Sequence, residues 1–143
     1  MIWHDRAEAG QQLAQALKKY RGASNVVVLG LPRGGVVTAA AVAKALSVPL
    51  DIVITRKLGA PGNEEYAVGA LTEQGGVVGN GTGQVIEREK EELARRVKTY
   101  RHNKLPVSIK DKTVIIVDDG IATGLTMQAA ITSARHHRPT KII

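Results

Sequence analysis

The sequence contains no cysteine and no phenylalanine, and it has only one tryptophan and three tyrosines. The lack of cysteine excludes disulfides, a thiol nucleophile and thiolate metal sites. The few aromatic side chains do not alternate with basic residues, so nothing supports a base-stacking platform for nucleic acid. Hydrophobic residues still make up 43% of the chain, and a core built from them must therefore be aliphatic.

Long apolar runs are also absent. The longest stretch without a charged residue, residues 120–134, is shorter than the roughly 20 residues that a membrane-spanning helix needs. The charges on Asp5, Arg6 and Glu8 do not fit the apolar core of a secretory signal peptide. We therefore expect a cytoplasmic protein that has no membrane partner.

The length and charge of the chain limit its organisation and its partners. With 143 residues and no break in composition, a single domain over residues 1–143 is expected. The net charge of +7 favours an anionic partner, either nucleic acid or a polyphosphate metabolite. Arg33, Arg56 and Lys57 are predicted to lie in loops after strands. Scattered loop cations of this kind suit a small phosphorylated ligand better than a nucleic-acid duplex.

Short aliphatic runs alternate with helical segments along the chain. Runs that are too short for helices and rich in β-branched residues are typical of strands buried in a parallel sheet. Strands are predicted at residues 25–31, 50–55 and 114–117, and helices at residues 36–46, 84–102 and 125–136. A capping box of Asp5 and Glu8 opens a further helix, which we interpret as a packing element without chemistry. The pattern predicts an α/β fold with a parallel-sheet core flanked by helices.

Residues 113–130 combine a strand, two acids, a turn of small residues and the start of a helix. The carboxylates of Asp118 and Asp119 can accept hydrogen bonds from sugar hydroxyls or hold a divalent cation. The loop amides and the positive helix end can hold a phosphate. Taken separately, an acidic pair after a strand is usually a solvated turn, and a threonine before a helix is usually an N-cap. Together they match a sugar phosphate, which carries hydroxyls and a phosphate at this separation.

A second turn, from Pro32 to Gly35, leads from the first predicted strand into a helix. The phosphate motifs GxxxxGK[ST] and GxGxxG are both absent from it, and by itself the turn is unremarkable. Gly34 and Gly35 allow the backbone to approach an anion closely. The guanidinium of Arg33 offers a planar set of donors that matches phosphate oxygens.

Residues 113–130 resemble, nearly position for position, the phosphoribosyl-pyrophosphate (PRPP) signature of the type I phosphoribosyltransferase family. The resemblance implies that Asp118 and Asp119 are the catalytic acids, which grip the ribose hydroxyls and indirectly hold the Mg²⁺ that accompanies PRPP. It implies a 5′-phosphate loop of Gly120, Ile121, Ala122, Thr123, Gly124 and Thr126. It implies a pyrophosphate site of Arg33, Gly34, Gly35, Arg56 and Lys57.

Residues 58–65 contain Gly, Pro and Asn without apolar periodicity, which is typical of a mobile loop. In the resembled family a loop in this region closes over the substrate and excludes water. Glu64 and Glu65 could act there on the base or on a metal, or they are surface charges. Residues 66–72 and 76–78 predict two strands joined by a turn, so we expect a flexible loop or hairpin insertion.

The chain ends within a pattern that resembles the start of another buried strand, at residues 140–143. Because no turn terminates this strand, and because the resembled family continues with a further strand and a loop near the nucleobase, we expect the natural sequence to continue past residue 143. Base recognition and catalytic competence would then depend in part on residues after 143.

The resemblance implies transfer of the phosphoribosyl group of PRPP to a nitrogen base, purine or pyrimidine, with release of pyrophosphate. This is a glycosyltransferase-class reaction of nucleotide metabolism. Its partners would be PRPP and a nucleobase-like acceptor. The resembled proteins are often dimers, so a homodimer is one candidate assembly. One alternative is a non-catalytic module that binds PRPP or a nucleotide for regulation, associated with RNA through its positive charge. Another is a different sugar-phosphate enzyme that shares the loop.

Overall fold

The computed structural model describes residues 2–73 and 76–143, and its chain divides into two compact units. The first unit consists of Met1–Ile52, Val107–Gly120 and His137–Ile143, and the second of Val53–Pro106 and Ile121–His136. In chain order the elements are α1 (Arg6–Ala16), a 3₁₀ turn (Lys18–Tyr20), β1 (Val26–Gly30), α2 (Gly34–Leu46), β2 (Leu50–Ile52), β3 (Thr55–Ala60), β4 (Asn63–Thr72), β5 (Val77–Gly79), α3 (Gly83–Arg101), β6 (Thr113–Val117), α4 (Leu125–His136) and β7 (Lys141–Ile142).

The first unit is built on a parallel sheet with the strand order β2-β1-β6-β7. Every residue of β1 and β6 is buried, as their unbroken aliphatic runs predicted. Helix α2 packs against β1, β2 and β6. The core is entirely aliphatic and includes Val28, Val42, Leu46 and Ile115. The parallel sheet with its helices confirms the predicted α/β class.

Helix α1 begins where the capping box predicted. The Asp5 carboxylate accepts a hydrogen bond from the backbone N–H of Glu8 at 2.8 Å, which satisfies a donor that the helix cannot pair internally. Gly10 lets α1 lie close against α2, because a Cβ at this position would be only 2.6 Å from the Cβ of Ala41. The cap therefore holds the start of α1, and close packing on α2 holds its middle.

The chain leaves the first unit after β2 and returns to it at Val107. Oδ2 of Asp51 accepts a hydrogen bond from the backbone N–H of Val107 at 2.7 Å. Oδ1 of the same side chain accepts one from the N–H of Ile52, also at 2.7 Å. One carboxylate thus joins the points where residues 53–106 leave and re-enter this unit.

The second unit contains an antiparallel sheet with the strand order β3-β4-β5, and both α3 and α4 pack against strands of this sheet. A buried ion pair links two parts of this unit. Nε of Arg101, the last residue of α3, lies 2.7 Å from Oε2 of Glu73, and the two side chains are each only 8% exposed. The backbone N–H of Glu73 also donates to the carbonyl of Ile54 at 3.1 Å.

Two sequence predictions for residues 50–65 were wrong. Residues 50–55 do not form one strand: β2 ends at Ile52, and Thr55 begins β3, so Arg56 and Lys57 lie within a strand and not in a loop after one. Residues 58–65 are not a loop without secondary structure. They form the end of a β-hairpin, with Pro61 and Gly62 as its two-residue turn. The φ angle of +76° at Gly62 explains why glycine suits that turn.

Other element boundaries agree well with the predictions. Helix α4 spans the predicted 125–136, and α3 is shifted by one residue at each end from the predicted 84–102. Helix α2 begins two residues earlier than predicted, so Gly34 and Gly35 belong to its first turn. The strands predicted at 66–72 and 76–78 are β4 and β5, whereas Gln74 and Gly75 of the predicted turn lie outside the described residues.

The predicted terminal strand is present as β7, which pairs in parallel with β6, although its two residues are only partly covered. Among the helices of residues 2–73 and 76–143, none has the length and apolar character needed to cross a membrane.

Candidate functional site

The glycine turn of the first unit leads from β1 into the N-terminus of α2. The backbone N–H of Leu31 donates to the carbonyl of Val117 at 3.2 Å, which keeps the ends of β1 and β6 side by side. The peptide bond between Pro32 and Arg33 is cis, and α2 begins at the next residue. Arg33 is exposed, and it forms no ion pair with any residue in the described part of the chain.

The two carboxylates after β6 lie against the two glycines that begin α2. A Cβ added to Gly35 would be 2.7 Å from Oδ1 of Asp118, and one added to Gly34 would overlap the carboxylate of Asp119. With the carboxylates in these positions, a Cβ at either glycine would overlap them. The arrangement is electrostatically favourable, because the N-terminus of a helix carries a partial positive charge that attracts anions.

Asp119 also forms an ion pair with a residue far away in the sequence. Nε of Arg6, in the first turn of α1, donates to Oδ2 of Asp119 at 2.7 Å. This hydrogen bond from Arg6 is the largest of the influences that hold the pKa of Asp119 below its ordinary value of 3.8. The backbone N–H of Asp119 donates to Oδ1 of Asp118 at 2.8 Å, so the two acids are also connected directly.

Sequence reasoning did not find Arg6, because it assigned no chemistry to α1. The only signal was a basic residue immediately after the helix cap, which is common on protein surfaces. Its partner is 113 residues away in the chain.

The predicted phosphate loop of the second unit leads into α4. Ile121, Ala122 and Thr123 are exposed, and Gly124 has a φ of +80°, a left-handed conformation that favours glycine. Oγ1 of Thr123 accepts a hydrogen bond from the N–H of Leu125 at 3.4 Å, which is the usual role of a residue near a helix start. The exposed turn before α4 is suited to binding an anion with backbone N–H groups.

The basic pair predicted to bind pyrophosphate has two different environments within β3. Arg56 is engaged by the protein itself, since its Nε lies 2.5 Å from Oε2 of Glu89, whose side chain is only 11% exposed. Arg88 continues this network, at 3.3 Å from Glu89 and 3.1 Å from Glu64. Lys57 is exposed, and within the described residues it has no ion-pair partner.

The predicted site residues are divided between the two units. In the first unit the acids Asp118 and Asp119 contact Gly34 and Gly35, with Arg6 as an additional member. Arg33 and Gly120 belong to the same unit. The second unit contains the remaining predicted residues, which are Arg56, Lys57, Ile121, Ala122, Thr123, Gly124 and Thr126.

The acidic pair fits a metal that arrives with a phosphorylated substrate. Among the described residues, no group of three or more His, Cys, Asp or Glu side chains could hold a metal ion. Mg²⁺ is commonly bound by one or two carboxylates together with substrate phosphates and water, and not by a cage made of protein groups alone. Asp118 and Asp119 offer donors of that kind.

Comparison with known proteins identifies the family of the chain. The family model for the phosphoribosyl transferase domain matches residues 2–143. The chain therefore belongs to the phosphoribosyl transferase domain family, as the PRPP signature predicted.

Two curated relatives come from Mycobacterium tuberculosis, from the strains H37Rv and CDC 1551, and carry the provisional names phosphoribosyl transferase Rv0571c and MT0597. Each is 44% identical over 154 aligned residues, which include 99% of this chain but 34% of the relative. The chain thus spans about one third of the length of these relatives.

Solved structures show the same fold. The crystal structure of TT1426 from Thermus thermophilus is 41% identical with a TM-score of 0.79, and the match covers 99% of this chain and 73% of that one. A hypoxanthine phosphoribosyltransferase from Staphylococcus aureus has a TM-score of 0.58 at 16% identity, over 96% of this chain and 59% of its own. A likeness at so low an identity supports the fold alone.

Proposed function

We propose that this chain binds PRPP together with Mg²⁺ and transfers its phosphoribosyl group to a nitrogen base, with release of pyrophosphate. The observation that carries the proposal is the contact between two adjacent carboxylates, Asp118 and Asp119, and the glycines that begin α2. Carboxylates are suited to the hydroxyls of a ribose, and a glycine-rich helix start is suited to the neighbouring phosphates. Membership of the phosphoribosyl transferase domain family supports the same reaction.

Each predicted residue has a role in this proposal. Asp118 and Asp119 grip the ribose hydroxyls, and Arg33 with Gly34 and Gly35 receives the pyrophosphate. The 5′-phosphate is held by the loop after the acids, and Lys57 contributes to the pyrophosphate site. The loop comprises Gly120, Ile121, Ala122, Thr123, Gly124 and Thr126. Arg56 was predicted to share the role of Lys57, but its ion pair with Glu89 leaves it less free to bind a ligand.

The reaction needs binding and positioning more than covalent catalysis. The bond between C1 of the ribose and the pyrophosphate oxygen breaks, a bond from C1 to the base nitrogen forms, and that nitrogen loses its proton. C1 becomes cationic as pyrophosphate leaves, so negative charge close to the ribose stabilises the transition state. Mg²⁺, when bound with PRPP, neutralises part of the pyrophosphate charge. Asp118 and Asp119 would hold the sugar hydroxyls and would help indirectly to hold that metal ion.

The acceptor is proposed only as a nucleobase-like nitrogen compound, purine or pyrimidine. The solved relatives named for hypoxanthine or purine substrates are 16% and 21% identical, which supports a shared fold and not a shared acceptor. We also propose that the reaction takes place in the cytoplasm, within a single domain.

Calorimetric titration with PRPP and Mg²⁺ tests the proposal. A charge-assisted hydrogen bond contributes about 1.5–3 kcal/mol, so Asp118→Asn should weaken PRPP binding by about 10-fold to 100-fold. Asp111→Asn is the matched control, since it removes the same charge from an exposed position of the same unit. Equal affinities of the wild type and Asp118→Asn would contradict the assignment.

Turnover is tested with radiolabelled PRPP and a panel of nucleobases, using the full-length gene product. Formation of a labelled nucleotide with one of the bases is the expected result. Tight PRPP binding without turnover for any base would instead indicate a regulatory binding module.

A further inference from the structure

We infer that Arg6 is a positioning residue that holds the carboxylate of Asp119 for the ribose hydroxyls of PRPP; this inference rests on the function proposed above. Its basis is the 2.7 Å hydrogen bond between Nε of Arg6 and Oδ2 of Asp119. A carboxylate accepts about four hydrogen bonds, so one bond from Arg6 fixes the group and leaves capacity for ligand hydroxyls.

Gly34 places the Arg6–Asp119 pair at the helix start where the ligand phosphates are expected. A Cβ at Gly34 would lie 2.8 Å from Nε of Arg6 and would overlap the Asp119 carboxylate. The cation, the acid and the first residue of α2 therefore form one contact cluster.

Arg6 is held firmly enough to orient its partner. It is the first residue of α1, directly after the Asp5 cap, whose carboxylate accepts the 2.8 Å hydrogen bond from Glu8. Four residues later, Gly10 brings α1 into close contact with α2. The close packing of α1 on α2 constrains the backbone that carries the Arg6 side chain.

The Arg6 and Asp119 side chains are as exposed to solvent as ligand-binding side chains need to be, and they are not part of the hydrophobic core. The side chains of Arg6 and Asp119 are 58% and 28% exposed, so a ligand can reach both from solvent. Exposed ion pairs contribute little to stability, and removing this one should leave the fold intact. Loss of ligand affinity can therefore be measured without loss of folding.

Three ligands separate positioning of Asp119 from a general electrostatic effect. PRPP with Mg²⁺ and ribose 5-phosphate both carry ribose hydroxyls, whereas pyrophosphate with Mg²⁺ carries none. If Arg6 acts through Asp119, Arg6→Ala should weaken binding of the first two by about tenfold and change pyrophosphate binding by less than about twofold. Arg6→Lys should recover part of the lost affinity, because it restores a cationic donor.

Two further variants complete the experiment. Arg21→Ala removes the same charge from an exposed site in the same unit, and it should leave all three affinities unchanged. In an Asp119→Asn background, Arg6→Ala should change PRPP affinity by less than about twofold, because the group that it positions is already altered.

The outcomes distinguish the inference from the function on which it rests. Equal PRPP affinities of Arg6→Ala and Arg21→Ala, with normal binding by the wild type, would overturn the role of Arg6 alone. An equal loss of pyrophosphate affinity in Arg6→Ala would also overturn it, since the effect would not act through the ribose. A wild type that binds neither PRPP nor ribose 5-phosphate would overturn the proposed function and this inference together.

Discussion

Nε of Arg6 lies 2.7 Å from Oδ2 of Asp119, so the first residue of α1 is bonded to the second acid after β6. Asp119 in turn occupies the space beside Gly34 that a larger residue would fill. The beginning of α1, the beginning of α2 and the end of β6 thus meet at one point in the first unit. Substitutions at this point, in the phosphate loop and at the ion pairs of the second unit should differ in their effects on ligand affinity and on the free energy of unfolding.

The ionisation of Asp119 depends on Arg6. Because the hydrogen bond from Arg6 lowers the pKa of Asp119 below 3.8, Arg6→Gln should raise that pKa. Carbon NMR of the carboxyl group during a pH titration measures it directly. A pKa lowered by folding stabilises the native state above the ordinary value of 3.8, and that contribution is lost as pH falls through the lower folded value. Arg21→Gln is the control, and an unchanged pKa of Asp119 in Arg6→Gln would contradict the assigned cause.

The two glycines of α2 should respond differently to substitution by alanine. At Gly34 the overlapping atoms are the ends of the Asp119 and Arg6 side chains, which can move. Gly34→Ala should therefore reduce PRPP affinity by about tenfold or more while the free energy of unfolding changes by less than about 1 kcal/mol, since alanine favours the helix.

At Gly35 a new Cβ would also lie 3.0 Å from Cα of Asp118 and 3.2 Å from the carbonyl oxygen of Val117. Because this backbone cannot easily move, Gly35→Ala should lower the free energy of unfolding by about 1–3 kcal/mol as well as weaken binding. Chemical denaturation and calorimetry measure the two effects. A Gly35→Ala protein that is as stable as the wild type would show that the backbone adapts.

The phosphate loop depends on the left-handed conformation of Gly124. Its φ of +80° strains any residue with a Cβ by about 1–2 kcal/mol, so Gly124→Ala should destabilise the loop and weaken ribose 5-phosphate binding. Gly83→Ala is a suitable control in the same unit, because its φ is not positive and a Cβ there meets no atom within 4 Å. If the two variants bind ribose 5-phosphate equally well, the loop does not hold the 5′-phosphate.

The ion pairs of the second unit should differ greatly in their contribution to stability. Glu73→Ala removes the carboxylate that the buried Arg101 guanidinium contacts at 2.7 Å, and loss of one partner of a buried pair should cost about 3–5 kcal/mol. Glu92→Ala removes an acid that pairs with Arg95 on the surface, and its cost should be far smaller, because exposed ion pairs contribute little to stability. Denaturant unfolding measures both, and equal costs would contradict the importance of burial.

The buried parallel strands and the last helix were predictable because their signals are local. The short run of β-branched residues in β6 is typical of a strand that is buried on both faces of a sheet. The small residues before Leu125 indicate where α4 begins. Their neighbouring acids could be recognised as a candidate site from the same stretch of sequence.

The predictions failed where the outcome depended on a distant partner. Residues 50–55 were predicted as one strand, yet residues 50–52 pair in parallel with β1 and Thr55 begins an antiparallel pairing with β4. The hydrophobic pattern does not reveal this change of partner. The pairing of Arg56 with Glu89, 33 residues away, was hidden for the same reason.

The carboxylate of Asp51 makes residues 53–106 an insertion with adjoining ends. Because its two oxygens bond to Ile52 and Val107, this long excursion starts and finishes at neighbouring points of the first unit. We therefore expect a change in the length of residues 53–106 to leave the register between β1 and β6 unchanged, since neither strand lies in that segment. The acids and glycines of the first unit are therefore separate in the chain from the hairpin and α3, both of which lie within residues 53–106.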